Sequence, residues 1–111
     1  MTKIKLKTFV ISTLLTVTVA ISITANAQIR GATSCGNWIS ERNTMSIGEA
    51  GYEGWIIGFL SGVSGTQHID FTYIDNPSIF LWVDKYCRNN PLLTVADASI
   101  DLLKTIKNQK K

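Results

Sequence analysis

One histidine and two cysteines carry most of the chemistry that this 111-residue sequence could offer. His68 stands two residues before Asp70, with Ser61 and Ser64 a few residues upstream. A hydrolytic triad needs a nucleophile bonded to a base that a third group orients, and no G-x-S-x-G motif frames a serine here. His68 is therefore read as a surface histidine with an acidic neighbour. Asp70 and Asp75 could pair as acid and base, but Asp75 more simply caps the helix that follows it. Glu49 and Glu53 lie one turn apart and read as a solvated helix face. No phosphate-binding loop, cofactor fingerprint or metal-ligand cluster is recognisable. The expectation is a protein with no catalytic residue, no cofactor and no metal, which is to say not an enzyme.

Cys35 and Cys87 follow a segment with the order of a secretory signal peptide. Lys3, Lys5 and Lys7 form a basic start, an apolar run covers 9–21, and Ala25-Asn26-Ala27 is a small-x-small cleavage pattern. The run is shorter than the roughly 20 apolar residues a membrane span needs. Cleavage after Ala27 leaves a single domain, residues 28–111, with no membrane attachment. Such a domain is small enough that its core alone is marginal and a covalent staple is useful. In an oxidising compartment two cysteines read as a disulfide, which here closes a loop of about 50 residues for about 4 kcal/mol. A redox pair would call for C-x-x-C, and one histidine with two distant cysteines is a poor zinc set. Removing the three leader lysines also leaves eight basic against eight acidic residues. The formal +3 of the whole chain is an export feature and gives no support for a nucleic-acid partner.

The elements that position these groups read as helices. Cys35, Trp38, Ile39 and Arg42 share one face of a short first helix. Ser46 and Glu49 fit a capping box, opening a second helix that should run to about Ser64 with Tyr52, Trp55, Ile56, Phe59 and Val63 as its apolar face. The same helix carries Gly54, Gly58 and Gly62 at four-residue spacing. Each costs about 1 kcal/mol relative to alanine. Such a smooth ridge predicts close packing on another helix of the chain; a groove or a dimer seam is the alternative. Residues 68–75 alternate, with Ile69, Phe71 and Tyr73 opposite Asp70 and Thr72, but no second run offers a strand partner. This stretch is read as an extended loop over the helices, with Phe71 and Tyr73 as candidate protein contacts. Asn76-Pro77 should start a third helix, with Ile79, Phe80, Val83 and Cys87 facing inward. A second Asn-Pro pair should end it near Arg88 or Asn89 and start the last helix at Pro91. Leu92, Val95, Ala96, Ser99, Leu102, Leu103 and Ile106 mark the buried stripe of that helix. Its acidic residues lie early and its lysines late, which suits the helix dipole. Trp82, off the main inward line beside Tyr86, is the third candidate contact.

Several of these features together resemble the HdeA/HdeB family of small periplasmic helical proteins. They are the Cys35-x-x-Trp38-Ile39 opening helix, the Gly58-Phe59-Leu60 helix, a loop with acidic residues, a second cysteine at a helix end and a final amphipathic helix. The segment Trp82-x-Asp84-x-Tyr86-Cys87-Arg88-x-x-Pro91-Leu92 looks like that of exported relatives of the same architecture. It is also similar, more loosely, to periplasmic immunity proteins that neutralise type VI secretion effectors. The resemblance covers most of 33–108. It implies an all-α, small orthogonal bundle of about four helices, Cys35 bonded to Cys87, a periplasmic location and action by binding other proteins. Those partners are either many client proteins or one dedicated partner, with a homodimer as a further possibility. HdeA-type acid chaperones expose apolar surface when their carboxylates protonate. By composition, eight Lys/Arg and His68 would take the exported part from net zero to about +9 in strong acid, which favours expansion through self-repulsion. The expected function is an acid-stress chaperone, with an immunity-type inhibitor of a secreted toxin as the alternative.

Overall fold

Four helices organise residues 28–110, the part of the chain that the computed structural model describes. They are α1 (Cys35–Glu41), α2 (Ile47–Gln67), α3 (Asn76–Asn89) and α4 (Val95–Gln109). The signal-peptide reading falls on residues 1–27, outside the described part. Each helix begins at a side chain that satisfies an otherwise orphan amide. Ser34 Oγ accepts from Asn37 N at 3.1 Å, Ser46 Oγ from Glu49 N at 3.0 Å and Asp75 Oδ1 from Ser78 N at 2.8 Å. Thr94 and Asp97 complete a reciprocal capping box at the start of α4. Among the described residues the one β feature is an isolated antiparallel bridge between Ser34 and Thr94. Around it Cys35 N donates to Leu93 O at 2.8 Å and Val95 N to Thr33 O at 3.1 Å, tying the start of α1 to the start of α4.

The principal helix contacts run in a ring: α1 on α2, α2 on α4, α4 on α3 and α3 back on α1. The core inside it contains Trp38, Ile56, Leu60, Ile79, Val83, Val95, Leu102, Leu103 and Ile106. Cys35 and Cys87 are bonded to each other and fully buried among them. The fold is thus an all-α bundle, as the helical periodicity predicts, with the one disulfide that the cysteine pair and the resemblance imply.

Several boundaries differ from the sequence reading for identifiable reasons. The second Asn-Pro pair starts no helix: Leu93 N donates to Asn90 O at 3.1 Å, so Asn90–Leu93 is a turn with Pro91 at its second position. Helix α4 begins only at Val95, and Leu92 is 95% exposed rather than part of the stripe. In α3 the cap is Asp75, and Asn76 is already helical. Helix α2 continues past Ser64 through Gly65 and Thr66 to Gln67. It ends where His68 adopts the left-handed conformation (φ 53°, ψ 42°), with Ile69 N donating back to Ser64 O at 3.0 Å. The buried line of α2 is Glu49, Ile56, Leu60 and Ser64. Trp55 and Phe59 stack on each other at 4.9 Å along the half-exposed flank.

Among the described residues nothing packs on the glycine ridge. A Cβ built on Gly51, Gly54, Gly58, Gly62 or Gly65 would meet no heavy atom within 4 Å. The reading of close internal helix packing is therefore overturned. Because these positions have room and an ordinary helical backbone, replacing Gly58 by alanine should stabilise the protein by about 0.5–1 kcal/mol. The denaturant midpoint measures this directly. A destabilising effect would mean that something not visible in the bundle occupies that space.

Candidate functional site

The chemistry of the bundle is concentrated on one arginine. Arg42 follows α1 directly, on the same face as Cys35 and Trp38, and its guanidinium enters the corner between α1, α2 and α3. Nε donates to Asp84 Oδ1 at 2.8 Å and Nη2 to Asp84 Oδ2 at 3.3 Å, a two-pronged pairing with α3. Nη1 donates to Glu49 Oε1 and to Glu53 Oε1, each at 3.1 Å, on α2. The guanidinium lies 4.8 Å from the centre of the Trp38 ring, a cation–π arrangement, and Trp38 Nε1 itself donates to Asp84 Oδ1 at 2.8 Å. One cation thus serves three carboxylates, each from a position that joins two elements of the ring. Burial works against the Arg42 charge, but the hydrogen bonds it donates to Asp84 and the attraction of the three nearby carboxylates outweigh it and raise its pKa.

Glu49 does more than neutralise Arg42. Its carboxylate accepts from Asn43 N at 2.7 Å and from Met45 N at 2.8 Å. Asn43 and Met45 both have positive φ, 64° and 52°, a conformation that costs a residue with a side chain roughly 1 kcal/mol or more. The expected reciprocal bond from the Ser46 amide to the Glu49 carboxylate does not form. The side chain turns instead to the α1–α2 connection, and Ser46 N is satisfied by Thr44 Oγ1 at 3.3 Å. Fixing the connection this way leaves Met45 and Ile47 projecting, each 94% exposed. The Asn43 amide first, then the Met45 amide and Arg42, hold the Glu49 carboxyl below the usual range, against the opposing effect of burial.

The sign of the resulting pH dependence follows from linkage. A carboxyl whose pKa is lower folded than unfolded adds stability at neutral pH. That contribution is lost as pH falls through the ordinary carboxylate range to the folded value. Asp70 is lowered in the same direction by the hydroxyl and amide of Thr72, and Asp75 by those of Ser78. Stability should therefore fall steadily on acidification. Glu49→Gln should be less stable than the parent at neutral pH and nearly equal to it in strong acid, as read by denaturant midpoints across a pH series.

The candidate contact residues fall in different surroundings. Phe71 is half-buried and, with Ile69 and Ile74, packs on the core, so the 68–75 loop lies over the helices. It is not extended throughout: Ile74 N donates to Phe71 O at 3.0 Å, and this turn brings Ile74 inward and puts Tyr73 on the opposite side from Phe71, against the alternation. Asp70 organises the loop by accepting from Thr72 N and Oγ1 at 3.0 and 2.6 Å. Tyr73 points outward, 63% exposed, with Lys110 Nζ 5.9 Å from its ring centre. Trp82 is half-buried beside Tyr86, and its buried Nε1 finds no hydrogen-bond acceptor among the described residues. His68 is exposed and ends α2. The hydroxyls of Ser61 and Ser64 donate to the helix carbonyls of Ile57 and Ser61. His68 meets Ser64 through the main chain alone, its backbone N–H donating to Ser64 O, and among the described residues no side-chain hydrogen bond joins its imidazole to either hydroxyl. No group of three His, Cys, Asp or Glu side chains is placed to hold a metal ion among the described residues.

Sequence reasoning placed Arg42 on the inward face of α1 but gave it no partner, and it left Asp84 without a role. The usable signal was positional: Asp84 falls one turn after Phe80 and one before Cys87, on the buried side of α3. A charge there requires a countercharge, and Arg42 is the basic residue on the facing helix that the cysteine pair brings alongside.

Fold and site together define a disulfide-linked four-helix bundle locked at one corner by an arginine with three carboxylates. No family model matches the chain, and no curated protein or solved structure is significantly similar to it.

Proposed function

We propose that this is an exported, non-enzymatic protein that works by binding other proteins, in the first place as an acid-stress chaperone of the HdeA type. The observation that carries the reading is the Arg42 corner. The groups facing Arg42 are Asp84 from α3, Glu49 and Glu53 from α2, and the Trp38 ring from α1. Three of them are carboxylates, so the corner is held together by charge pairs that strong acid weakens. At the same time the exported part would gain about nine positive charges, and repulsion would add to the loss. The bond from Cys35 to Cys87 would keep α1 on α3 while the α2 side loosens, so the core face of α2 would become available to an unfolding client. The test is an acid assay on the oxidised protein. It should bind a hydrophobic dye and suppress aggregation of an acid-labile client at a pH of about 2–3. A native spectrum with no suppression there contradicts the reading.

A second reading, an immunity-type inhibitor of one secreted toxin, is favoured by a different observation. The stacked Trp55–Phe59 pair is already half-exposed in the folded bundle, so an aromatic contact surface exists without acid. An immunity gene adjoins its effector gene. One stoichiometric partner at neutral pH supports this reading, and many partners seen only in acid support the chaperone.

A further inference from the structure

Along the outer side of α2, where it meets α4, two depressions share Val63 and Ile100 and together form one trough. The larger, of about 700 Å³, is lined by Gly54, Trp55, Gly58, Phe59, Val63 and Ile100 together with residues 28–30. The smaller, of about 310 Å³, continues past Ile69 and Leu103 to Lys104 and Lys107. The walls are apolar, and the floor at Gly54 and Gly58 is bare backbone with no heavy atom where a Cβ would stand. The charged residues lining the trough are Arg30 at one end and Lys104 and Lys107 at the other; no acidic residue lines either depression. The main chain of residue 30 is fixed there because Trp55 Nε1 donates to Arg30 O at 3.0 Å.

We propose that this trough is the docking surface for an amphipathic helix of a partner protein, with an apolar face of small and branched residues and carboxylates at its margins. Three features select that occupant. Bare glycine backbone at two successive turns lets another helix approach more closely than the usual 8–10 Å between axes permits. The uncharged stretch of α2 from Gly54 to Gln67 is about 20 Å long at 1.5 Å per residue, enough for four turns of a partner. Cations at both ends with no acid between them complement a negatively charged partner, and they steer its approach. A second copy of the chain fits less well, because it would bring the same cations to the same trough. The inference rests on the protein-binding reading in general but not on acid activation.

The test uses the oxidised protein at neutral pH and a synthetic four-turn helix with Ala and Leu on one face and Glu on its flanks. A control peptide carries Lys in place of Glu. Isotope-edited amide spectra should shift at Gly54, Gly58, Val63 and Ile100, and the Lys peptide should bind at least about tenfold more weakly. Gly58→Leu fills the floor and should weaken binding by about tenfold or more; it also improves helix propensity, so the loss does not reflect misfolding. Lys104→Glu with Lys107→Glu should remove the preference for the acidic peptide. Equal binding of both peptides, shifts elsewhere on the bundle, or self-association that blocks the trough would each overturn the proposal. Failure of the acid assay leaves it standing, so the two readings fail separately.

Discussion

Replacing Arg42 by methionine should cost about 3–5 kcal/mol, because it leaves Asp84 and Glu49 buried without a countercharge. Methionine retains much of the apolar contact with Trp38, so the loss isolates the charge. Asp84→Asn should cost less, about 1–3 kcal/mol: the amide keeps an oxygen for Trp38 Nε1, while the pairing with Arg42 Nε is weakened. Chemical denaturation with a common slope gives the ranking. The gap between Arg42→Met and the parent should also narrow as the pH falls through the carboxylate range, since protonated carboxyls no longer need a cation. A gap that stays constant with pH would mean that the arginine acts mainly through packing.

Cys35→Ala with Cys87→Ala should destabilise the bundle by about 4 kcal/mol, the chain-entropy value for a bridge spanning 52 positions. Against a usual total of about 5–15 kcal/mol, that is a large share for a chain of this size. The two half-cystines are fully buried, so two alanines also leave a small void. The unfolded chain without the bridge is more expanded, and the denaturant slope should rise with the loss of stability. A loss under about 1 kcal/mol would show that the remaining ring of helix contacts holds α1 in place without the bond.

Helix existence was legible because it rests on local pattern. The inward recurrence of Ile79, Val83 and Cys87, and of Val95, Ala96, Ser99, Leu102, Leu103 and Ile106, gives the inward faces of α3 and α4, while Leu92, read into the same stripe, lies outside α4. Where local rules compete, the reading failed. Asn-Pro is both a helix start and a turn, and at Asn90-Pro91 the pairing of Thr33 and Cys35 with Leu93 and Val95 decides for the turn. Ser46-x-x-Glu49 promised a reciprocal cap, but Arg42 and two strained amides compete for the glutamate and win. The glycines illustrate the limit of helical spacing. It shows that Gly54, Gly58 and Gly62 share a side of α2, and nothing in it says whether that side meets the chain itself or faces outward. The Arg42 corner was half legible, since the inward position of the charge was visible but its three partners come from elements brought together only by the fold.

The central claim, that loss of the carboxylates at Arg42 converts a stable bundle into a client-binding form, is tested most directly by one paired measurement. Oxidised protein and its Arg42→Met variant are each mixed with an acid-labile client, and light scattering is followed from neutral pH down to a pH of about 2–3, with near-ultraviolet circular dichroism in parallel. The parent should lose its tertiary signal and suppress scattering only in acid. The variant should do both at a higher pH, because its lock is already broken. Suppression by neither protein, or suppression by both at the same pH, would contradict the claim.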